Sequence, residues 1–463
     1  MDTPLARGSA RCTRGPSTQE ILHRDGRPVP PLFELESPRF LGDEDIPFER
    51  YTSRTFFESE MERMWTRVWQ WACREEHIPT PGDYYVYEVG RHSVIVLRTE
   101  SGDVKAYVNS CLHRGTKFRP GSTDGHMTEI RCPFHGWTWS LEGELKRYPC
   151  PWDAPHVDPA RFHLPEVQVG LWAGFVFINM DPDAPPLADY LAPLPEQLDG
   201  FAIEDRFVEI HIEKELYSNW KSAKEAFIEN YHTQETHPQL LGSNADEATQ
   251  YDVFSPTTSR FIAPFGVSST HLDTPMTEQE LVDAMLIGNR SSLEEPTVVQ
   301  PGENARIVMA RMLRETLGAA YGVDLSGRTD AEMIDVAQYG VFPNMILFPC
   351  LSLPMVYRFR PIGEDVNRSL FELLVLRPVP DSGPRPEPAQ PIRLTEEESF
   401  TTVPGFDPIL GHVYDQDTSN VRAQQEGFHA ARKKGETLLN YQEVRVRQLH
   451  QTLDTYLEDR AGR

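Results

Sequence analysis

The sequence predicts an α+β protein of two domains, an N-terminal all-β domain followed by a domain that lays helices on an antiparallel sheet. Three observations point there. Between Tyr84 and Ile178 short β-rich runs alternate with glycines, the texture of a small all-β domain. Beyond Phe207 strand-like runs share the chain with segments of helical periodicity. Between the two, Asp181–Pro195 carries Pro182, Pro185, Pro186, Pro193 and Pro195, as a chain crossing between domains does. With 463 residues the chain is long enough for two or three domains.

Taken in order, residues 1–45 are rich in Arg, Ser, Pro and Gly without apolar periodicity and predict an extended arm. Residues 46–70 predict a helix packing on the second domain, because Phe56, Phe57, Met61, Met64, Trp65 and Val68 recur at three- and four-residue steps. Residues 71–185 form the β domain, with strands at Tyr84–Val89, Val94–Leu97, Val104–Val108 and Phe175–Ile178. Residues 186–463 form the second. It opens on a strand, Phe207–Leu216, where Val208, Ile210 and Ile212 alternate with Glu209, His211 and Glu213. Helices follow at Trp220–His232, Glu278–Ile287, Ala305–Tyr321 and Gln424–Leu457, and strands at Met345–Leu351, Met355–Pro361 and Phe371–Pro378. Asp381–Glu398, acidic and proline-rich, predicts a surface loop.

Composition narrows the function. A formal charge of −25 disfavours polyanions, so nucleic acid is excluded as a partner. No run approaches the ~18 apolar residues of a membrane span, and the first thirty residues lack a signal-peptide core, so a cytoplasmic protein is expected. Six cysteines are too few for a disulfide framework and point to reduced thiols or metal ligands. Cys12, Cys73, Cys150 and Cys350 have no paired ligand nearby and predict ordinary thiols.

The remaining two, Cys111 and Cys132, stand in a different context. Cys111-Leu112-His113 and Cys132-Pro133-Phe134-His135 supply two cysteines and two histidines in two pairs, a donor set that suits tetrahedral zinc or a [2Fe–2S] cluster. A zinc finger follows its second pair with a short helix. Here Pro133, Gly136, Trp137 and Trp139 break helix and supply bulky apolar cover. The two halves Cys111-Leu112-His113-Arg114-Gly115 and Cys132-Pro133-Phe134-His135-Gly136-Trp137 closely resemble a Rieske [2Fe–2S] domain.

A second constellation lies downstream, in Asn219-Trp220-Lys221, Glu225, Glu229-Asn230-Tyr231-His232 and His237-Pro238. On an unbroken helix the two histidines would point about 140° apart, so one ion can bind both only if the helix loosens after His232, which Pro238 favours. Joined to the upstream domain, this pattern resembles the α (large, catalytic) subunit of the Rieske non-haem iron ring-hydroxylating oxygenases, from about Phe48 to Leu457. The resemblance implies a helix-grip-like catalytic domain in which His232, His237 and a distant Asp hold mononuclear Fe(II), with positions left for O2. Asp417 matches the family's Asp-x-x-Asn turn with Asn420, and Asp415 is the competitor. Glu229 stands where the family usually carries Asp, three residues before His232, on the same helical face. By position it orients that ligand and connects it to the cluster of a neighbouring chain through His135, in a homotrimer or larger assembly, with or without a small β subunit. The resemblance further implies electrons from NAD(P)H through a ferredoxin or flavin reductase. Cis-dihydroxylation of an aromatic or other apolar substrate is the leading outcome, and a monooxygenase or demethylase acting on a methylated amine or ether the alternative. Arg114, Lys117, Arg119 and Arg131 around the cluster loops are a local reversal of the chain's sign that suits an acidic donor. Phe227, Leu240, Leu241, Phe254, Met309, Met345, Leu347 and Phe348 are pocket candidates, and the long segment Thr257–Ser326 is a candidate lid.

Overall fold

The computed structural model describes residues 14–121, 123–286, 297–380 and 382–458. Cys12 and the end of the helix expected at Glu278–Ile287 lie outside the described residues. Contacts divide the described residues into two units, Glu58–Tyr190 with Ile362–Glu364, and the remainder.

The smaller unit is built on a seven-stranded antiparallel sheet in the order Gln70–Arg74, Phe175–Asn179, Glu166–Trp172, Val104–Val108, His92–Arg98, Asp83–Val89, Asp124–His126. All four strands read from the sequence are present. A second sheet, Ile130–Arg131, Thr138–Trp139 and Leu145–Arg147, is too short to show a period. Tyr84, Ile95, Leu97, Tyr107, Ile130 and Trp139 form the core between them, with Cys111 and Cys132 at its edge. Trp139 fixes one wall by donating its indole N–H to the Phe162 carbonyl at 2.7 Å.

The larger unit carries an eight-stranded sheet in the order Gln250–Val253, Thr258–Ala263, Val336–Val341, Met345–Leu347, Met355–Pro361, Ser369–Pro378, Arg206–Leu216, Ile392–Leu394. Only the last pair is parallel. Helices Trp220–Glu225, Pro408–Ala430 and Val444–Leu457 help close a core in which Ile212, Tyr357, Phe371 and Leu373 from the sheet meet Ala223, Tyr414, Val421 and Val446. The alternation of Arg206–Leu216 puts Ile210 and Ile212 in that core, but its polar face is buried too. His211 contacts Glu372 at 2.9 Å, and Arg358 donates to the other Glu372 oxygen at 2.8 Å.

Several expectations change. The arm is not extended throughout: Thr18–Leu22 and Pro31–Glu34 are short helices with Ile21, Leu22 and Phe33 buried. Besides these apolar contacts a polar anchor docks it, which apolar periodicity does not show. Arg260, paired to Asp252 at 2.6 Å and fully buried, donates to the carbonyls of Leu32 and Leu35. Arg260→Ala leaves Asp252 as an uncompensated buried charge and frees the arm. Its expected cost is about 3–5 kcal/mol, read as a lower unfolding midpoint in denaturant.

The helix expected over 46–70 is three pieces, Glu49–Thr52, Arg54–Ser59 and a wide π-type turn at Glu60–Met64. From Glu58 the segment belongs with the smaller unit, held there by His92 on the Met61 carbonyl at 2.9 Å and Asn179 on the Arg67 carbonyl at 3.2 Å. The helix expected at Gln424–Leu457 is two, because 431–443 leaves the helix and Gly435–Glu436 pairs with Ile46–Pro47. The loop expected at 381–398 contains the edge strand Ile392–Leu394. The candidate lid holds the strand Thr258–Ala263 and the helices Glu278–Met285 and Ala305–Tyr321, whose buried Val282, Val308 and Met309 form a core of their own.

Candidate metal centres

In the smaller unit the two Cys/His loops use the same backbone device. Gly115 N–H donates to the Cys111 carbonyl at 2.9 Å and Gly136 N–H to the Cys132 carbonyl at 3.1 Å. Cys111 N–H donates to Thr116 and Cys132 N–H to Trp137, at 2.9 and 2.8 Å. Each loop turns on a left-handed glycine, Gly115 at φ +75° and Gly136 at φ +73°, a conformation that costs other residues about 1–2 kcal/mol. Gly136→Ala is accordingly expected to lower the melting temperature of the smaller unit by a few degrees in calorimetry.

The result is convergence. The Cys111 and Cys132 side chains lie in hydrogen-bond contact, and the His113 and His135 rings stand 4.7 Å apart. His113 stacks flat on Trp137, at 5.0 Å and 4°. His135 Nδ1 is buried and makes no hydrogen bond, as expected of an atom reserved for a metal. Burial, with Cys132 alongside, pushes the Cys111 thiol up to about 11, so Cys111 holds thiolate charge at neutral pH only beside a cation. The donor set fits a two-Cys, two-His cluster.

In the larger unit Asn219 caps helix Trp220–Glu225 by accepting from Lys221 N–H at 3.1 Å. The helix ends at Glu225, earlier than the sequence suggests. A single turn, Thr233–Thr236, then stands between His232 and His237. Asp417 lies inside helix Pro408–Ala430 rather than in a turn before it. Its Oδ1 is 2.8 Å from His237 Nε2 and 3.5 Å from His232 Nε2. The Nδ1 atoms are held from behind, His232 by Glu229 Oε1 at 2.6 Å and His237 by Gln416 Oε1 at 3.0 Å. Two Nε2 atoms and one carboxylate oxygen thus converge with their ring tautomers fixed, which suits a facial two-His, one-carboxylate site.

Asp415 does other work, accepting from Ser399 Oγ and from Phe400 N–H to cap the turn Phe400–Thr402. Glu229 reaches His232 without a helix. Its Oε2 accepts the N–H groups of Tyr231 and His232, closing a tight turn that carries Oε1 to the ring. Burial pushes His232 down, yet the Glu229 and Asp417 carboxylates overcome it and hold the ring up at about 9, so a metal displaces a proton on binding. Gln416 was given no role by the sequence reading, although its position beside Asp417 was a usable signal. Tyr414 was missed as well. One turn before Asp417, its hydroxyl contacts that of Tyr357. Of the pocket candidates, Phe227 and Phe348 pack on Tyr357, with ring centroids at 5.7 and 5.0 Å, whereas Met309 belongs to the separate helical core.

Comparison with known families agrees with this division. A Rieske [2Fe-2S] domain model matches residues 68–158, and the ring hydroxylating alpha subunit (catalytic domain) model matches residues 204–459. The chain belongs to the ring-hydroxylating alpha-subunit family. Membership implies a Rieske cluster and a mononuclear iron in this alpha subunit. The glycine betaine monooxygenase oxygenase subunit of Pseudomonas aeruginosa is 30% identical over 196 residues, 42% of this chain and 45% of that protein. The matched stretch therefore spans less than half of that relative. The 2-halobenzoate 1,2-dioxygenase large subunit of Burkholderia cepacia is 25% identical over 447 residues, covering 94% of this chain and 85% of its own. Among solved structures, a quaternary ammonium Rieske monooxygenase superposes with a TM-score of 0.63 at 18% identity, over 89% of this alpha subunit and 95% of that chain. A naphthalene 1,2-dioxygenase bound to phenanthrene gives 0.62 at 18% identity, over 90% and 93%. These superpositions establish the shared fold. No helix among the described residues is long and apolar enough to cross a membrane.

Proposed function

We propose that this chain is the oxygen-inserting subunit of a Rieske oxygenase. Cys111, His113, Cys132 and His135 hold the [2Fe–2S] cluster, and His232, His237 and Asp417 hold the mononuclear iron. The observation that carries the reading is the convergence of His232 Nε2 and His237 Nε2 on Asp417 while Glu229 and Gln416 fix the opposite ring nitrogens. When bound, the iron supplies O2 activation with electrons relayed through the cluster. The residues supply the rest. Glu229 and Gln416 keep both imidazoles aimed at one point, and Trp137 shields one side of the His113 ring.

An aromatic or other apolar substrate is the leading reading, supported by the length of the likeness to the 2-halobenzoate dioxygenase subunit. Monooxygenation of a methylated amine is the second, supported by the relatives named for glycine betaine and carnitine. Product analysis under 18O2 with aromatic acids, polycyclic hydrocarbons and methylated amines separates them. Two labelled oxygens on one ring mark a dioxygenase, and a labelled alcohol or a lost methyl group marks a monooxygenase. No labelled product with any of them refutes the oxygenase reading.

The electron donor is a ferredoxin or flavin reductase fed by NAD(P)H. Arg119, Arg131 and Arg147 line, with His135, an open groove of about 760 Å³. Lys117 and Arg147 contribute less, being paired with Glu88 at 2.7 Å and with Glu129 respectively. Arg131→Glu is expected to slow cluster reduction several-fold at low salt, an effect that fades toward 0.5 M salt as screening removes the attraction. Stopped-flow absorbance reads it directly. Residence in the cytoplasm and assembly as a homotrimer or larger, with or without a small β subunit, complete the proposal.

A further inference from the structure

Behind the iron site lies a cluster of titratable groups that neither metal centre uses. Tyr51, on the helix Glu49–Thr52, places its hydroxyl 3.0 and 3.1 Å from the two oxygens of Glu225, 2.5 Å from Glu436 Oε1 and 2.8 Å from His450 Nε2. His450 Nε2 also lies 2.8 Å from Glu225 Oε1. A phenol has one proton to donate, so two carboxylates and an imidazole cannot all accept from it. The phenol proton can go to one carboxylate only, so the other carboxyl of the pair meets Tyr51 as a protonated donor. The chain runs Glu225 to Tyr51 to Glu436, and a proton can hop along it through the phenol oxygen.

The cluster is not sealed. Glu225 and Glu436 line a cleft of about 210 Å³ together with Glu443, Glu229, His232 and Asp417. At about 30 Å³ of liquid volume each, several water molecules fit there. We propose that Tyr51, Glu225, Glu436 and Glu443 form a proton store that feeds the iron site through this cleft.

The inference rests on the oxygenase reading, which sets the demand. Hydroxylation follows R–H + O2 + 2e− + 2H+ → R–OH + H2O, and dihydroxylation of a ring likewise takes up two electrons and two protons. The donor supplies the electrons. The carboxyls supply the protons, become carboxylates and are refilled from water at the half-exposed Glu436 and Glu443. Their environment agrees with this role. Burial and the neighbouring Glu225 carboxylate push Glu436 up to about 8, and burial pushes Glu225 and Glu443 up to about 7. The cations facing them, Lys433 and Arg447 at Glu436 and Lys221, Lys224 and Arg50 at Glu225, reduce that rise without cancelling it. His450 is held neutral by burial and by Arg50, Lys221 and Arg447. The store is therefore partly loaded at neutral pH, and Glu436 is the last to empty, above about pH 8.

Infrared difference spectra of the full chain between pH 6 and 9 test the store without any turnover. A protonated-carboxyl stretch that shifts in D2O, bleaches with a midpoint between pH 7 and 8 and disappears in Glu225→Gln and Glu436→Gln is expected. No such band, or a band unchanged in both variants, overturns it. With a substrate identified by 18O labelling, Glu436→Gln is expected to lower kcat roughly tenfold at unchanged KM, to raise the solvent isotope effect and to remove the basic limb near pH 8. Glu436→Asp restores part of kcat. Parental kcat and isotope effect in Glu436→Gln overturn the relay and leave the oxygenase reading standing. A parent chain that yields no labelled product refutes both.

Discussion

Asp417→Ala is expected to empty the mononuclear iron site, with product formation falling by about a thousandfold or more, while the visible spectrum of the cluster stays that of the parent. Among the described residues Asp417 is the only carboxylate whose oxygen stands against both His232 Nε2 and His237 Nε2, and those two rings alone leave an open two-nitrogen site. The cluster lies in a unit with its own sheet and core, so its iron and sulfide are unaffected. Asp415→Ala is the control. It removes a cap on the turn Phe400–Thr402 and costs about 1 kcal/mol of stability with iron retained. Iron analysis and the reduced-cluster EPR signal read both variants. Iron lost in Asp415→Ala and kept in Asp417→Ala would reverse the assignment.

How much of this was legible in the sequence depended on whether the determinant was local. The Cys111/His113 and Cys132/His135 pairs were legible because each sits in one tight loop whose glycine four residues after the cysteine sets the geometry. The β domain was legible because its strands are apolar and punctuated by turns. His232 and His237 were legible as a pair, but their geometry was not. The break after Glu225 and the single turn Thr233–Thr236 arise from tertiary bonds such as Asn230 N–H to the Tyr251 hydroxyl at 2.8 Å. Asp417 could be placed by its Asn420 partner, yet its setting was misread as a turn. Nothing local shows that helix Pro408–Ala430 runs through it. Tyr51 carried no signal at all. It is an aromatic residue in an amphipathic stretch, and only the fold brings Glu225, Glu436 and His450 to its hydroxyl. The arm failed for the same reason in polar form, since its anchor is a buried arginine more than two hundred residues away.

Glu229→Gln carries the second large effect. The Glu229 carboxylate accepts from two backbone N–H groups and holds His232 Nδ1, so it fixes a ligand and places negative charge beside it. Gln keeps the size and one acceptor but loses the charge and the second acceptor. Iron and cluster contents are expected to stay near the parent's, because His232, His237 and Asp417 remain. Product formation is expected to fall by roughly two orders of magnitude. The fall exceeds what a slackened ligand explains if Glu229 also connects the two centres of adjacent chains, as the family resemblance implies. The charges suit that route. Glu229 and Asp417 line the cleft at the iron site, while Arg119 and Arg131 line the groove at His135. In the proposed assembly, reduction of the cluster, which makes its histidines more basic, would be favoured by a carboxylate at hand. Light scattering joined to single-turnover kinetics distinguishes the two roles. In an oligomer, Glu229→Gln should leave cluster reduction by the donor unchanged and slow the transfer of the electron onward to iron. Parental turnover in Glu229→Gln, or full activity in a strictly monomeric enzyme, would sink the route between chains and leave Glu229 as a support for His232 alone.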